Sequence, residues 1–352
     1  MTTRVTVVET SELGPREAAL WAEFQQTSPA TLNPFLSLTF VQTVGRARSN
    51  ARVAVVELNG EIEAFLPYEL GPKNIAMPIG RPMNNLQGFI GSGASFDARS
   101  VVRRAGLRGW CFDAVPAEQM VLIPHHYRGT TVQCAVIDLT EGYEFYLQGR
   151  SKSLLREAGR TRRNLEREFG PISHQWHSAR PEDLRQLIGW KSDQYVRTGQ
   201  IQLFSDPTAR RIVEELATTG NTDCAGVLSV VFAGERSIAI RLGIAGPRIL
   251  CGWFTAYDRE LARFAPGTIG LFALAEDAAR RGVTRFELGA GQETYKFRLA
   301  NKSYAVASGA VWRSRGEDFG RKIYRRLIYD TFLRDQMPSW LKELDTRRVR
   351  DR

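Results

Sequence analysis

Residues 52–70 read RVAVVELNGEIEAFLPYEL, and residues 226–244 read GVLSVVFAGERSIAIRLGI. Each is a β-rich run, a Gly-Glu turn and a second β-rich run. Asn59-Gly60 is a strong hairpin signal, because a type I′ turn needs φ > 0 at both central residues. Gly234 takes the place of Gly60 in the second copy. A related entry precedes each hairpin: Asn33-Pro34-Phe35-Leu36-Ser37 before the first and Leu203-Phe204-Ser205-Asp206 before the second. A helical segment follows each entry, with Ser205 or Asp206 as cap and Pro207 in the first turn. The simplest account is a duplicated α/β unit.

Working outward, residues 150–169, RSKSLLREAGRTRRNLEREF, lie between the copies. Leu154, Ala158, Leu165 and Phe169 share one helical stripe, the opposite face is rich in arginine, and Gly170-Pro171 ends the helix. This connector sets a domain boundary near residue 170. Downstream, a strand is expected around Ile249–Tyr257, then a Pro-Gly turn at Ala265–Gly270 opening an apolar helix that Gly282 stops. A short strand at 285–288, the turn Gly289-Ala290-Gly291 and a final strand pair within 302–313 follow. Residues 319–332 form an amphipathic pattern that fits packing on the domain or resting on an anionic membrane surface.

Composition bounds the function. The 352 residues suggest two domains, and 43% hydrophobic with 24% charged residues is globular composition. No apolar run approaches the ~20 residues of a membrane span, and the N-terminus lacks a secretory signal. A cytoplasmic protein is expected. Cys111, Cys134, Cys224 and Cys251 form no C-x-x-C pair and read as small buried residues. The net charge of +10 favours anionic partners, such as coenzyme phosphates, nucleic acid or acidic lipid.

The chemistry concentrates in two segments. At Ala265–Gly270 the first N–H groups of a helix lack intrahelical partners and favour an anion, and Gly267 and Gly270 leave the backbone open to a pyrophosphate. At 286–296, FELGAGQETYK, Gly289-x-Gly291 would need a third glycine at Thr294 to be a dinucleotide fingerprint, so that reading fails. Tyr295 and Lys296 lie just beyond. A lysine there can stabilise phosphate or a developing oxyanion, and a tyrosine can protonate a leaving group. His174 and His177 have no ligand-spaced partner, so no metal is expected. No nucleic-acid motif appears.

In this order the chain resembles the CelD/BcsL family of acetyltransferases, named for cellulose biosynthesis, in the GNAT superfamily. It is more distantly similar to the Fem aminoacyltransferases, which carry two GNAT-type domains. The resemblance covers nearly the whole chain. It rests on the basic segment 150–170, on Trp253 with Tyr257-Asp258, on the Pro266-Gly267 helix start, and most specifically on FELGAGQETYKFRLANK at 286–302. In the first half the family often shows Asp-Tyr-His-Gly or Asp-Tyr-Gln-Gly. Here Asn84-Asn85-Leu86-Gln87-Gly88 matches at Gln87 and Gly88 and departs at Asn85 and Leu86. The family's pyrophosphate signature is reduced to Pro266-Gly267-Thr268-Ile269-Gly270.

The resemblance implies an α/β (mixed-sheet) fold of two tandem GNAT-like acyltransferase domains joined by a basic helix. The expected divisions are 1–169, 170–315 with the donor site, and a basic tail at 316–352. It implies acyl transfer, acetyl first, from acyl-CoA to an amine or hydroxyl of a sugar or of a polysaccharide or envelope precursor, without a metal. Lys296, Tyr295 and Glu293 are the expected catalytic residues. Pro266, Gly267, Thr268, Ile269 and Gly270 would hold the coenzyme, and Asn85, Gln87, Trp253, Tyr257 and Gln292 the acceptor. Peripheral contact with the inner face of an anionic membrane through the tail is a further expectation. Two alternatives stand beside this reading: an aminoacyl-tRNA-dependent Fem-like transferase, and a non-catalytic acyltransferase-fold scaffold in polysaccharide assembly.

Overall fold

The structure is a computed structural model and describes residues 2–29, 31–291 and 294–314. Gln292, Glu293 and the tail from residue 315, with its amphipathic pattern, lie outside the described residues.

The first half runs β1 (Thr3–Glu9), α1 (Pro15–Gln25), α2 (Leu38–Ala47), β2 (Ala51–Leu58), β3 (Glu61–Gly71), β4 (Ile75–Pro78), β5 (Ile90–Gly91), α3 (Ala98–Arg104), β6 (Gly109–Pro116) and β7 (Arg128–Asp138). Two helices follow, α4 (Tyr143–Gln148) and the connector α5 (Lys152–Phe169). The second half runs β8 (Ile172–Gln175), α6 (Pro181–Arg197), α7 (Pro207–Thr218), β9 (Gly220–Asn221), β10 (Cys224–Ala233), β11 (Arg236–Ala245), β12 (Ile249–Tyr257), α8 (Pro266–Arg280), β13 (Arg285–Ala290), α9 (Thr294–Leu299) and β14 (Lys302–Trp312).

The duplication read from the two hairpins is architectural. In each half a hairpin (β2/β3, β10/β11) pairs antiparallel with a third strand (β4, β12). A helix then crosses to a strand parallel to that third one (β6, β13). The entries also match. Each is a single 3-10 turn, 34–36 or 203–205, followed by a capped helix: Ser37 Oγ accepts from Phe40 N, and Asp206 Oδ1 from Thr208 N. Capping satisfies a donor that the first helical turn would leave unpaired.

The hairpin turns differ by one position from the sequence expectation. Leu58 pairs with Glu61, so Asn59 (φ 53°) and Gly60 (φ 96°) are both central and both left-handed. Ala233 pairs with Arg236, so Gly234 (φ 58°) is the first central residue rather than the counterpart of Gly60. Only that first position needs φ > 0, which is the type II′ pattern and relieves Glu235 of it.

The strands form one continuous sheet in the order β1-β2-β3-β4-β6-β14-β7-β13-β12-β11-β10-β8. The halves interleave at its centre. β14, the last described strand, lies between β6 and β7, and β7 lies between β14 and β13. One apolar core joins Trp21, Phe35 and Phe40 of the first half to Phe204, Ile212 and Leu216 of the second. Trp21 stacks on Phe65 with centroids 4.9 Å apart. Each such buried large side chain contributes about 1.5–3 kcal/mol. All four cysteines are buried and free. No helix among the described residues is long and apolar enough to cross a membrane.

Candidate active site

β12 and β13 run parallel but pair only at Ile249↔Arg285, Leu250↔Phe286 and Cys251↔Glu287. Two local features end the ladder there. The β11/β12 register shifts between Leu242 and Gly243, making Trp253 an extra residue, and Gly289 turns β13 with φ 82°. A bulge bends its strand and re-aims side chains. The strands part beyond this point, and a cleft opens along the free edge of β12.

The first half reaches into this cleft. Asn85 Nδ2 donates to Gly252 O at 2.9 Å, and Trp253 Nε1 donates to Met83 O at 2.6 Å. Lys296, on α9, donates to Ala290 O at 3.3 Å. A methyl group placed on Gly289 would lie 3.8 Å from Asn85 Nδ2 and 3.9 Å from Lys296 Nζ. The structure therefore brings Asn85 and Lys296, from opposite halves, around one glycine. Tyr295 stands next to them and is 56% exposed, accessible to a ligand.

Two cations that the motif reading passed over complete this wall. Arg241 of β11 faces Thr255 across the ladder, with Nη1 3.8 Å from a methyl placed on Gly252. Lys191 of α6 donates to Gln194 Oε1 at 3.1 Å and to Thr255 O at 3.4 Å, and lies 5.2 Å from the Tyr195 ring centroid. Burial, then the charges of Arg241 and Lys296, push the Lys191 ammonium down from 10.5 to about 8. Burial pushes Arg241 down to about 10, opposed by Tyr295, and this still leaves it protonated at neutral pH. No carboxylate among the described residues offsets either shift. The sequence did hold a signal for Arg241: it is the one charged residue within the apolar run Ile238–Ile244.

α8 begins at the far end of the cleft. Its N-cap, Ala265, is left-handed (φ 46°) and offers no side-chain acceptor, and the first turn contains no acid. Thr268 N and Ile269 N both donate to Ala265 O, which leaves Gly267 N–H as the open donor and narrows the set expected from 267–270. The side chains of Pro266 and Ile269 are buried, and Gly270 packs on Val231 and Ala239. Gly267, Gly270, Arg241, Thr255 and Ser229 line one small recess. Arg241 thus links the helix start to the neighbourhood of Tyr295.

The other expected residues fall as follows. Tyr257 lines a pocket of about 360 Å³ between α6 and β12, with Trp190, Asp193, Gln194, Arg197 and Arg259. Trp253 is held between Phe35 and Phe254 and serves the junction of the halves. Gln87 is not brought into the cleft: it is 2% exposed, its Nε2 donates to Asp113 on β6, and its Oε1 has no partner. Gln292 and Glu293 lie outside the described residues. Among the described residues no group of three His, Cys, Asp or Glu could hold a metal ion.

Residues 152–297 match the family described as the acetyltransferase (GNAT) domain. Among curated protein sequences none matches the chain. Solved structures similar to it include FemX (TM-score 0.60, 10% identity, 92% of this chain and 100% of that one). L-PGS from Bacillus licheniformis is also similar (0.53, 13%, 89% and 96%). So is the DUF2156 C-terminal domain assigned to a lysylphosphatidylglycerol synthetase of Agrobacterium fabrum (0.55, 13%, 89% and 96%). At these identities the likeness concerns the fold. The fold is the mixed α/β arrangement of two tandem GNAT-like halves expected from the sequence.

Proposed function

We propose that the protein moves an acyl group, acetyl first, from acyl-CoA to an amine or hydroxyl of a sugar or of a polysaccharide or envelope precursor, as its resemblance to the CelD/BcsL acetyltransferases implies. The observation that carries this reading is the convergence of Asn85 and Lys296 on Gly289, in a cleft that leads past Arg241 to an uncapped helix start.

The donor's phosphates would lie against Gly267 N–H and the positive end of α8. Its thioester would reach the place where β12 and β13 part. The acceptor's nitrogen or oxygen attacks the carbonyl carbon, the acceptor's proton leaves to a base, and the C–S bond breaks as the new C–N or C–O bond settles. Negative charge on the carbonyl oxygen in between is met by Lys296 Nζ and by the second N–H of the Asn85 amide, the first being held by Gly252 O. Tyr295 would protonate the departing thiolate. The acceptor, a saccharide, enters from the pocket that Tyr257 lines.

Calorimetry with acetyl-CoA and longer acyl-CoAs tests donor binding, and mass spectrometry of amino-sugar and oligosaccharide mixtures tests transfer. Lys296→Ala should retain acetyl-CoA and lower turnover at least ~10-fold, the scale for losing a transition-state donor. Absence of heat with every acyl-CoA would reject the reading and leave the scaffold and the tRNA-dependent transferase.

One observation favours the tRNA-dependent alternative. α5 exposes Arg156, Arg160, Arg163 and Arg167 along its outer side. A steep fall of tRNA affinity with salt would support it, since phosphate contacts release counterions.

A further inference from the structure

Lys191 and Arg241 are an expensive pair to leave in place. They come from different elements: Lys191 Nζ donates to Thr255 O, Arg241 is the ladder partner of Thr255, and no carboxylate among the described residues neutralises either. Among the described residues the Arg241 side chain has neither a hydrogen bond nor an ion pair, and the acceptors of Lys191 are a neutral carbonyl and a neutral amide. The groups facing Lys191 are Gln194 and Tyr195 of its own helix, Thr255 O of β12, Arg241 of β11 and Lys296 of α9. The cationic groups in that set repel one another in a partly dehydrated site. Gly252 and Gly289 keep the flanking space open: a side chain on either would extend toward Arg241 or toward Lys296. Structural cations of this kind normally carry a partner, and none is found among the described residues.

We infer that Lys191 and Arg241 form a phosphate seat, completed by a phosphate group of the ligand held in the cleft. The guanidinium offers a planar fork to phosphate oxygens, and the ammonium a compact charge beside it. Thr255 is three residues along β12 from Gly252, about 10 Å at strand spacing, so the phosphate sits one short arm away from the place where Asn85 and Lys296 meet. The phosphate has two possible sources, the acyl donor or a phosphorylated acceptor. Gln194 points to a route for the second, because it accepts from Lys191 and also lines the Trp190–Tyr257 pocket. The inference deepens the transferase reading but stands on the cations alone.

The test is calorimetry on the full chain with inorganic pyrophosphate at fixed ionic strength. Wild type should bind, Arg241→Gln and Lys191→Gln should each lose at least ~10-fold in affinity, and Lys191→Arg should retain most of it. Arg185→Gln, at an exposed arginine paired with Glu182, controls for bulk charge and should bind as wild type. Circular dichroism separates lost binding from lost folding. Should the glutamine variants unfold, the comparison of wild type with Lys191→Arg in net proton uptake on binding at pH 8.5 replaces them: greater uptake in the first than in the second, the ligand's own proton exchange being common to both. No pyrophosphate binding by wild type, or equal losses in the Arg185 control, overturns the seat. Acetyl-CoA and glucosamine 6-phosphate then identify the source, as the ligand whose affinity the Arg241 change lowers. Pyrophosphate binding that depends on both cations, with no binding of any acyl-CoA, would uphold the seat while rejecting the acyl-CoA reading.

Discussion

Asn33 and Glu287, 254 positions apart in the chain, are joined by a hydrogen bond of 2.7 Å inside the molecule, from Asn33 Nδ2 to Glu287 Oε2. The same carboxylate oxygen accepts from Tyr304 Oη at 2.8 Å, and Oε1 lies 2.7 Å from Arg285 Nη2. Asn33 is fully buried and its own Oδ1 caps the next turn through Phe35 N. This polar knot ties the entry of the first half to the root of the cleft in the second.

Asn33→Asp should therefore be severe. It keeps the capping acceptor, removes the donor, and sets two carboxylates against each other in the interior. Breaking a buried polar pair while leaving a charge uncompensated costs roughly 3–5 kcal/mol. Urea unfolding should show the midpoint falling accordingly, with Asn33→Ala falling less.

Trp253→Phe keeps the ring contacts with Phe35 and Phe254 and removes the bond to Met83 O. The expected loss of stability is about 1–3 kcal/mol, since a buried carbonyl loses its donor. Because Met83 is two residues from Asn85, turnover should fall further than stability alone explains. Steady-state rates measured well below the unfolding temperature check this.

His174 makes stability depend on pH. Its Nδ1 bonds Asp277 Oδ2 and its Nε2 bonds Ser229 Oγ, each at 2.8 Å. Burial pushes the ring below its ordinary value of 6.5, opposed by Asp277. The unfolded chain then takes up the proton first. The contribution is complete above about pH 6.5 and is lost as pH falls below it, by at most ~1.4 kcal/mol per pH unit. Between pH 7 and 5 the unfolding free energy of His174→Gln should vary less than that of wild type.

Lys191 gives the phosphate seat its own pH dependence. The free ammonium loses its proton near pH 8, and a bound phosphate raises that value. Affinity for pyrophosphate is full below pH 8 and declines above it, by at most ~10-fold per unit until the raised value is reached. Lys191→Arg should remove this decline between pH 8 and 9.5 when compared with wild type by calorimetry.

The parts of this architecture written in local pattern were legible in the sequence. The Asn59-Gly60 turn, the Ser37 and Asp206 caps, the connector ended by Gly170 and the strand Ile249–Tyr257 depend on neighbours in the chain. Lys296 and Asn85 were singled out by motif, yet their meeting at Gly289 depends on the interleaving of the halves, which no spacing encodes. Gln87 misled because a polar residue in a motif looks the same whether it faces a cleft or, as here, Asp113. Lys191 sits in an ordinary amphipathic helix, and only the partition of β12 from β13 makes it a lining residue.

The position of β7 sets a schedule for the nascent chain. Both of its neighbours, β13 and β14, are made after it, and none of its partners belongs to the first half. From Asp138 to Trp312 the ribosome must add about 170 residues, which at ~5–20 residues per second takes roughly 10–35 s. Until β13 is made an 11-residue strand has neither edge paired, and until β14 is made one edge stays open while β6 waits beside it for the same late segment. Such an edge templates pairing with other chains. Slow translation or a stop before Lys302 should divert the protein toward aggregates, and the two halves should refold together rather than one after the other.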